Sequence, residues 1–141
     1  MTVLLLRHAT AGKAGTGPED QLRPLDERGR RQAEALVDAL ADHDVQRVLT
    51  SPFVRCRQTV EPLAGSLRLP VEERLELAEG STAEDVLALV GSLDGDTAVL
   101  CTHGDVVIEL LGEEAKKGST WVLDESPGGG FDRGEYLPPP A

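Results

Sequence analysis

Val3-Leu4-Leu5-Leu6-Arg7-His8-Ala9-Thr10 is an aliphatic run that stops abruptly at a cation and an imidazole. Val3 to Leu6 reads as a short buried strand. Arg7 and His8 then stand at its carboxyl end. The pattern recurs further along. Thr97 to Cys101 is a second compact aliphatic run, and it ends at Thr102-His103-Gly104. Val45 to Thr50 is a third, and it ends at Ser51-Pro52.

Helical periodicity fills the intervals. Asp26 caps a helix whose apolar positions Ala33, Leu36, Val37 and Leu40 share one face. Ser51-Pro52 reads as a cap with proline at the first helical position, and Cys56, Val60, Leu63 and Ala64 point inward behind it. Residues 66–80 hold a short extended piece and an acidic loop. Ser81-Thr82-Ala83-Glu84 reads as a capping box before a helix carrying Val86, Leu87 and Val90. Gly104 to Leu111 forms a helix with Val107, Leu110 and Leu111 inward. Thr120 to Leu123 and Phe131 to Leu137 close the chain as strands around Gly128-Gly129-Gly130. Alternating strands and helices imply an α/β fold: a three-layer sandwich, its central sheet mostly parallel, with helices on both faces. Ligands of such folds bind beyond the carboxyl ends of the strands.

Two of the three histidines occupy those ends, and Arg55 and Arg57 lie just past a third. That juxtaposition suits phosphoryl transfer through histidine. A neutral imidazole attacks phosphorus, provided its other ring nitrogen is held by an acceptor. Arginines offer forked donors to the non-bridging oxygens. A second histidine donates to the same oxygens, and a carboxylic acid protonates the leaving group.

Composition narrows the classes. The 141 residues suit one domain spanning 1–141, and the low aromatic content of 3% indicates an aliphatic core. A net charge of −11 argues against nucleic-acid binding and makes an anionic substrate surprising. The apolar run at the start is too short for a signal peptide or a membrane span, so a cytoplasmic protein is expected. Cys56 and Cys101 form no CxxC pair and read as small buried hydrophobes. No HExxH or clustered Cys/His spacing suggests a metal, and Gly12, Gly15 and Gly17 do not make a P-loop. No cofactor is expected.

Leu6-Arg7-His8-Ala9-Thr10 resembles the RHG/RHA signature of the histidine phosphatase superfamily, which has the phosphoglycerate mutase-like fold. Ser51-Pro52-Phe53-Val54-Arg55-Cys56-Arg57-Gln58-Thr59 resembles its SPxxRxxQT segment, and Thr102-His103-Gly104 the segment holding its second histidine. Arg23-Pro24-Leu25 with Gly29 matches the RPLxxxG stretch of small SixA-type phosphohistidine phosphatases. The resemblance implies His8 as nucleophile, Arg7 and Arg55 as phosphate clamps, and His103 as second catalytic histidine. Lys117 to Leu123 is similar to the end of phosphatase domains fused to Nudix hydrolases in actinobacteria. The chain starts directly at the phosphatase strand, so a single phosphatase domain with no Nudix domain is expected.

The leaving-group acid falls in Leu75-Glu76-Leu77-Ala78-Glu79-Gly80. Glu79 fits best and Glu76 second. Thr10, Arg23 and Gly104 are the expected substrate-binding positions. The leading expectation is a protein phosphohistidine phosphatase with an open site. Its partner would be a phosphorylated protein or a small phosphorylated metabolite. Alternatives are a phosphatase of nucleotides or other small phosphate esters, and a non-catalytic phosphate-binding module.

Overall fold

The computed structural model describes residues 1–15, 17–126 and 130–141. Six strands form one sheet: β1 (Thr2–Arg7), β2 (Arg47–Thr50), β3 (Val71–Glu73), β4 (Ala98–Thr102), β5 (Thr120–Glu125) and β6 (Phe131–Leu137). Their spatial order is β3-β2-β4-β1-β5-β6. β1, β2, β3 and β4 are mutually parallel, and β5 runs antiparallel to both of its neighbours. The helices are α1 (Glu27–Ala39), α2 (Val54–Leu67), α3 (Ala83–Gly91) and α4 (Gly104–Leu111).

The aliphatic runs explain the layers. Successive strand residues face opposite sides, so β1 serves two cores. Leu4 and Leu6 pack with α1 and α2 through Leu36, Leu40, Val60 and Leu63. Val3 and Leu5 pack on the other face with α3 and α4, through Val86, Leu89, Val106 and Val107. Every residue of β4 is buried. The three-layer α/β reading therefore holds.

Two helix starts differ from the sequence reading. Ser51 is not a cap, because α2 begins at Val54 with Phe53 as its N-cap. The capping box before α3 is one residue later than expected. Thr82 accepts from Asp85 N–H, and the Asp85 carboxylate accepts from Thr82 N–H. Leu89 rather than Leu87 completes the buried face of α3. The glycine turn read at 128–130 lies largely outside the described residues.

Register brings three strand ends together. Arg7 pairs with Thr102 across β1 and β4, and Thr50 pairs with Cys101 across β2 and β4. The next residues, His8, His103 and Ser51, therefore emerge side by side. His8 N–H donates to the Thr102 carbonyl, and Ser51 N–H to the Cys101 carbonyl, at 3.0 and 2.9 Å. Among the described residues, no helix is long and apolar enough to cross a membrane.

Candidate active site

A pocket of about 500 Å3 opens over these strand ends. His8 lies at its floor and is 5% exposed. Nδ1 of His8 donates to the Ala9 carbonyl at 2.7 Å. A carbonyl oxygen only accepts, so Nδ1 carries the proton and Nε2 keeps a lone pair. Burial, with the charges of Arg55, Arg7 and Lys117, lowers the His8 pKa to about 4. The imidazole is therefore neutral at pH 7, the state a nucleophile needs.

His103 stands beside it, with ring centroids 5.4 Å apart. Its Nε2 lies 2.9 Å from the Ser51 hydroxyl. That hydroxyl accepts from Phe53 N–H, and among the described hydrogen bonds its own proton has no other acceptor. Ser51 thus donates to Nε2 and leaves the His103 proton on Nδ1. Nδ1 is buried without a hydrogen-bond partner. Burial, then the neighbouring His8, Arg55 and Arg7, lowers the His103 pKa to about 3, against an opposing pull from Asp20.

The arginines are held from behind. Arg7 Nη1 donates to the Ala115 carbonyl at 2.6 Å, while Nε is buried and unpartnered. Burial lowers the Arg7 pKa below its ordinary value. Gly104 makes room for this guanidinium, since a Cβ there would lie 2.7 Å from Arg7 Cζ. Arg55, only 2% exposed, donates through Nη1 to the Asp20 carbonyl and through Nη2 to the carboxylates of Asp20 and Glu79. Its Nε is also buried and unpartnered. Three residues that line this pocket, Arg7, Arg55 and His103, thus each hold one buried unmet donor. Orphaned buried donors are costly, and an oxyanion would satisfy them.

Of the two candidate acids, the structure brings Glu79 to the pocket. Its Oε2 lies 2.8 Å from Arg55 Nη2 and 3.7 Å from His103 Nδ1. Glu76 does not line the pocket. Arg23 does line it, with Nε on Asp20 at 3.0 Å and Nη1 on the Ala11 carbonyl at 2.7 Å. Thr10 does not reach it. Its hydroxyl donates to Asp26, the N-cap of α1, so it serves the loop and not the pocket. Gly29 matters by close approach, because a Cβ there would meet the Thr10 carbonyl oxygen at 2.0 Å. Arg57 pairs with Glu61 and Glu73 on the helix surface.

Sequence reasoning gave Ser51 and Lys117 no part in the pocket, and read Asp20 only as an alternative surface partner of Arg23, a pair that does form. Asp20 braces both Arg23 and Arg55, and a hydrogen bond from Gly15 N–H, then Arg23 and Arg55, lowers its pKa. Its spacing of three from Arg23 was the available signal. Lys117 lines the pocket from the turn after α4.

A family model described as the histidine phosphatase superfamily (branch 1) matches residues 3–85, more than half of the chain. The chain belongs to the histidine phosphatase superfamily. It is 39% identical over 159 residues to the 8-oxo-(d)GTP phosphatase of Mycolicibacterium smegmatis, covering 99% of this chain and 48% of that protein. It is 35% identical over 72 residues to the phosphohistidine phosphatase SixA of Escherichia coli, covering 50% of this chain and 44% of that protein. The chain thus spans about half the length, or less, of these curated relatives. Among solved structures, the protein histidine phosphatase SixA complexed with tungstate superposes with a TM-score of 0.82 at 25% identity. That match covers 99% of this chain and 97% of the other. The superfamily reading made from the motifs is therefore correct, and so is the phosphoglycerate mutase-like architecture.

Proposed function

We propose that the chain hydrolyses small phosphate esters or anhydrides, nucleotides foremost, through a phosphohistidine on His8. The observation that carries this reading is Glu79, a half-exposed carboxylate at the mouth of the pocket and 2.8 Å from Arg55. An alkoxide or phosphate leaving group needs a proton, and a positioned carboxylic acid supplies it. An imidazole leaving group needs it less. The likeness over 99% of the chain to a protein named as an 8-oxo-(d)GTP phosphatase supports the same class.

The steps follow from the geometry. The phosphoryl oxygens take the unmet donors of Arg7, Arg55 and His103. The incoming dianion competes with Glu79 for Arg55 and leaves its carboxyl beside the leaving group. Nε2 of His8 attacks phosphorus as the bond to the leaving oxygen breaks, and Glu79 gives that oxygen its proton. Water then attacks phospho-His8. Glu79, now a carboxylate, takes a proton from the water, and inorganic phosphate leaves. Negative charge grows on the oxygens during both transfers, where the buried donors act most strongly.

A second reading, a protein phosphohistidine phosphatase, is favoured by the SixA likeness across 99% of the chain. One assay separates the two. Purified chain is given nucleoside diphosphates and triphosphates, a sugar phosphate and a phosphohistidine peptide. His8→Ala abolishes turnover on all of them, and acid-labile phosphate is trapped on His8 in the unaltered chain. Glu79→Gln slows the esters and anhydrides by roughly 100-fold or more and the peptide by far less. Equal slowing on all substrates removes Glu79 from the acid role. Turnover of the peptide alone establishes the second reading. Binding of phosphate without any turnover would leave a non-catalytic module.

A further inference from the structure

Lys117 is unlike the other cations of the pocket. Arg7 is tied to the Ala115 carbonyl, Arg23 to Asp20, and Arg55 to Asp20 and Glu79. Lys117 is exposed, and among the described residues its ammonium enters no ion pair and no hydrogen bond, though its charge reaches Asp26. Acids outnumber bases 25 to 14 in this chain, so a lysine without an ion pair beside three arginines is not for want of carboxylates.

Its backbone is fixed against the nucleophile. The next residue, Gly118, donates its N–H to the carbonyls of both Arg7 and His8 at 3.0 Å. Gly118 adopts φ +85°, and its Cα faces Gln32 so closely that a Cβ would lie 3.1 Å from that side chain. Ser119 N–H and hydroxyl both donate to the Lys116 carbonyl and close the turn. The turn is therefore stapled to the strand end that carries Arg7 and His8. Lys117 lines the same pocket as His8, and its charge is among those that hold His8 neutral.

A transferred phosphoryl group is met by Arg7, Arg55 and His103. A further cation that makes no ion pair or hydrogen bond suits a second anionic group of the substrate. We propose that Lys117 is a specificity residue that binds this second anion, so that the site prefers substrates that carry a second phosphate or a carboxylate. This rests on the phosphoryl-transfer reading of the same pocket.

Binding of non-hydrolysable probes tests it without requiring turnover. Methylphosphonate carries one anionic group. Methylenediphosphonate adds a second phosphonate, and phosphonoacetate adds a carboxylate. Calorimetric titration of the unaltered chain is expected to give about tenfold tighter binding of at least one two-anion probe over methylphosphonate. Which probe gains identifies the second group as phosphate-like or carboxylate-like. Lys117→Met is expected to erase the advantage and Lys117→Arg to keep most of it. Equal binding of all three probes, or an advantage that persists in Lys117→Met, overturns the assignment. Failure of the phosphoryl-transfer reading shows separately, as loss of turnover in the assays above with two-anion binding intact.

Discussion

At the scale of single residues, the pocket works by leaving selected atoms without partners. His8 is anchored through Nδ1, so the free atom is Nε2. His103 is anchored through Nε2, so the free atom is Nδ1. Both rings thus carry their proton on Nδ1 but turn opposite nitrogens to the pocket: in the proposed reaction His8 attacks through Nε2 and His103 donates through Nδ1. Ser51 sets the second of these and is a positioning residue in the proposed reaction. Ser51→Ala is expected to lower kcat/KM roughly tenfold, the worth of about one hydrogen bond. In a His103→Ala background the same substitution is expected to add almost nothing, because Ser51 acts through His103. A full additional loss in the double variant refutes that coupling. This role was hidden in the sequence for a physical reason. Serine before proline satisfies the local rule for a helix cap, and only the register of β2 against β4 places its hydroxyl on an imidazole 52 residues away.

At the scale of elements, the strands and helices were readable because their signals are local. The aliphatic runs of β1 and β4 and the helical face of α1 need no long-range information. The pocket-lining residues His8, Arg7, Arg55 and His103 were readable because they sit just past recognisable element ends. Thr10, expected at the substrate, bonds Asp26 and does not line the pocket, and nothing local reveals that bond. Two glycines show how the elements constrain the pocket. In Gly104→Ala the new methyl group meets the tip of a flexible guanidinium, which can swing away. The fold is expected to keep its thermal midpoint within a few degrees. Activity falls about 10- to 100-fold, as charge-assisted bonds from Arg7 are displaced. In Gly29→Ala the methyl group meets a backbone carbonyl oxygen that cannot yield without moving the loop. Destabilisation of about 1–3 kcal/mol is expected there. Denaturant midpoints and kcat/KM on both variants check the contrast; a stable, inactive Gly29→Ala variant would contradict it.

At the scale of the whole molecule, a net charge of −11 coexists with an anion-seeking pocket because four cations, Arg7, Arg23, Arg55 and Lys117, are gathered at one end of the sheet. The cost of keeping two histidines neutral among them is visible in the pH dependence of stability. Both folded pKa values, about 4 for His8 and about 3 for His103, lie below the ordinary value of 6.5. Between these limits the unfolded chain binds protons that the folded chain refuses. Stability from the two rings is therefore complete above about pH 6.5 and declines as pH falls toward about 4. At about pH 5 each ring has forfeited on the order of 2 kcal/mol. Acidification also relieves repulsion among the excess carboxylates, which acts in the opposite direction. A comparison cancels that second effect. Between about pH 7 and about pH 5, the native chain is expected to lose several kcal/mol more than the His8→Ala/His103→Ala double variant, read from urea midpoints. Parallel losses in the two proteins would mean that the imidazoles are not held neutral by the fold.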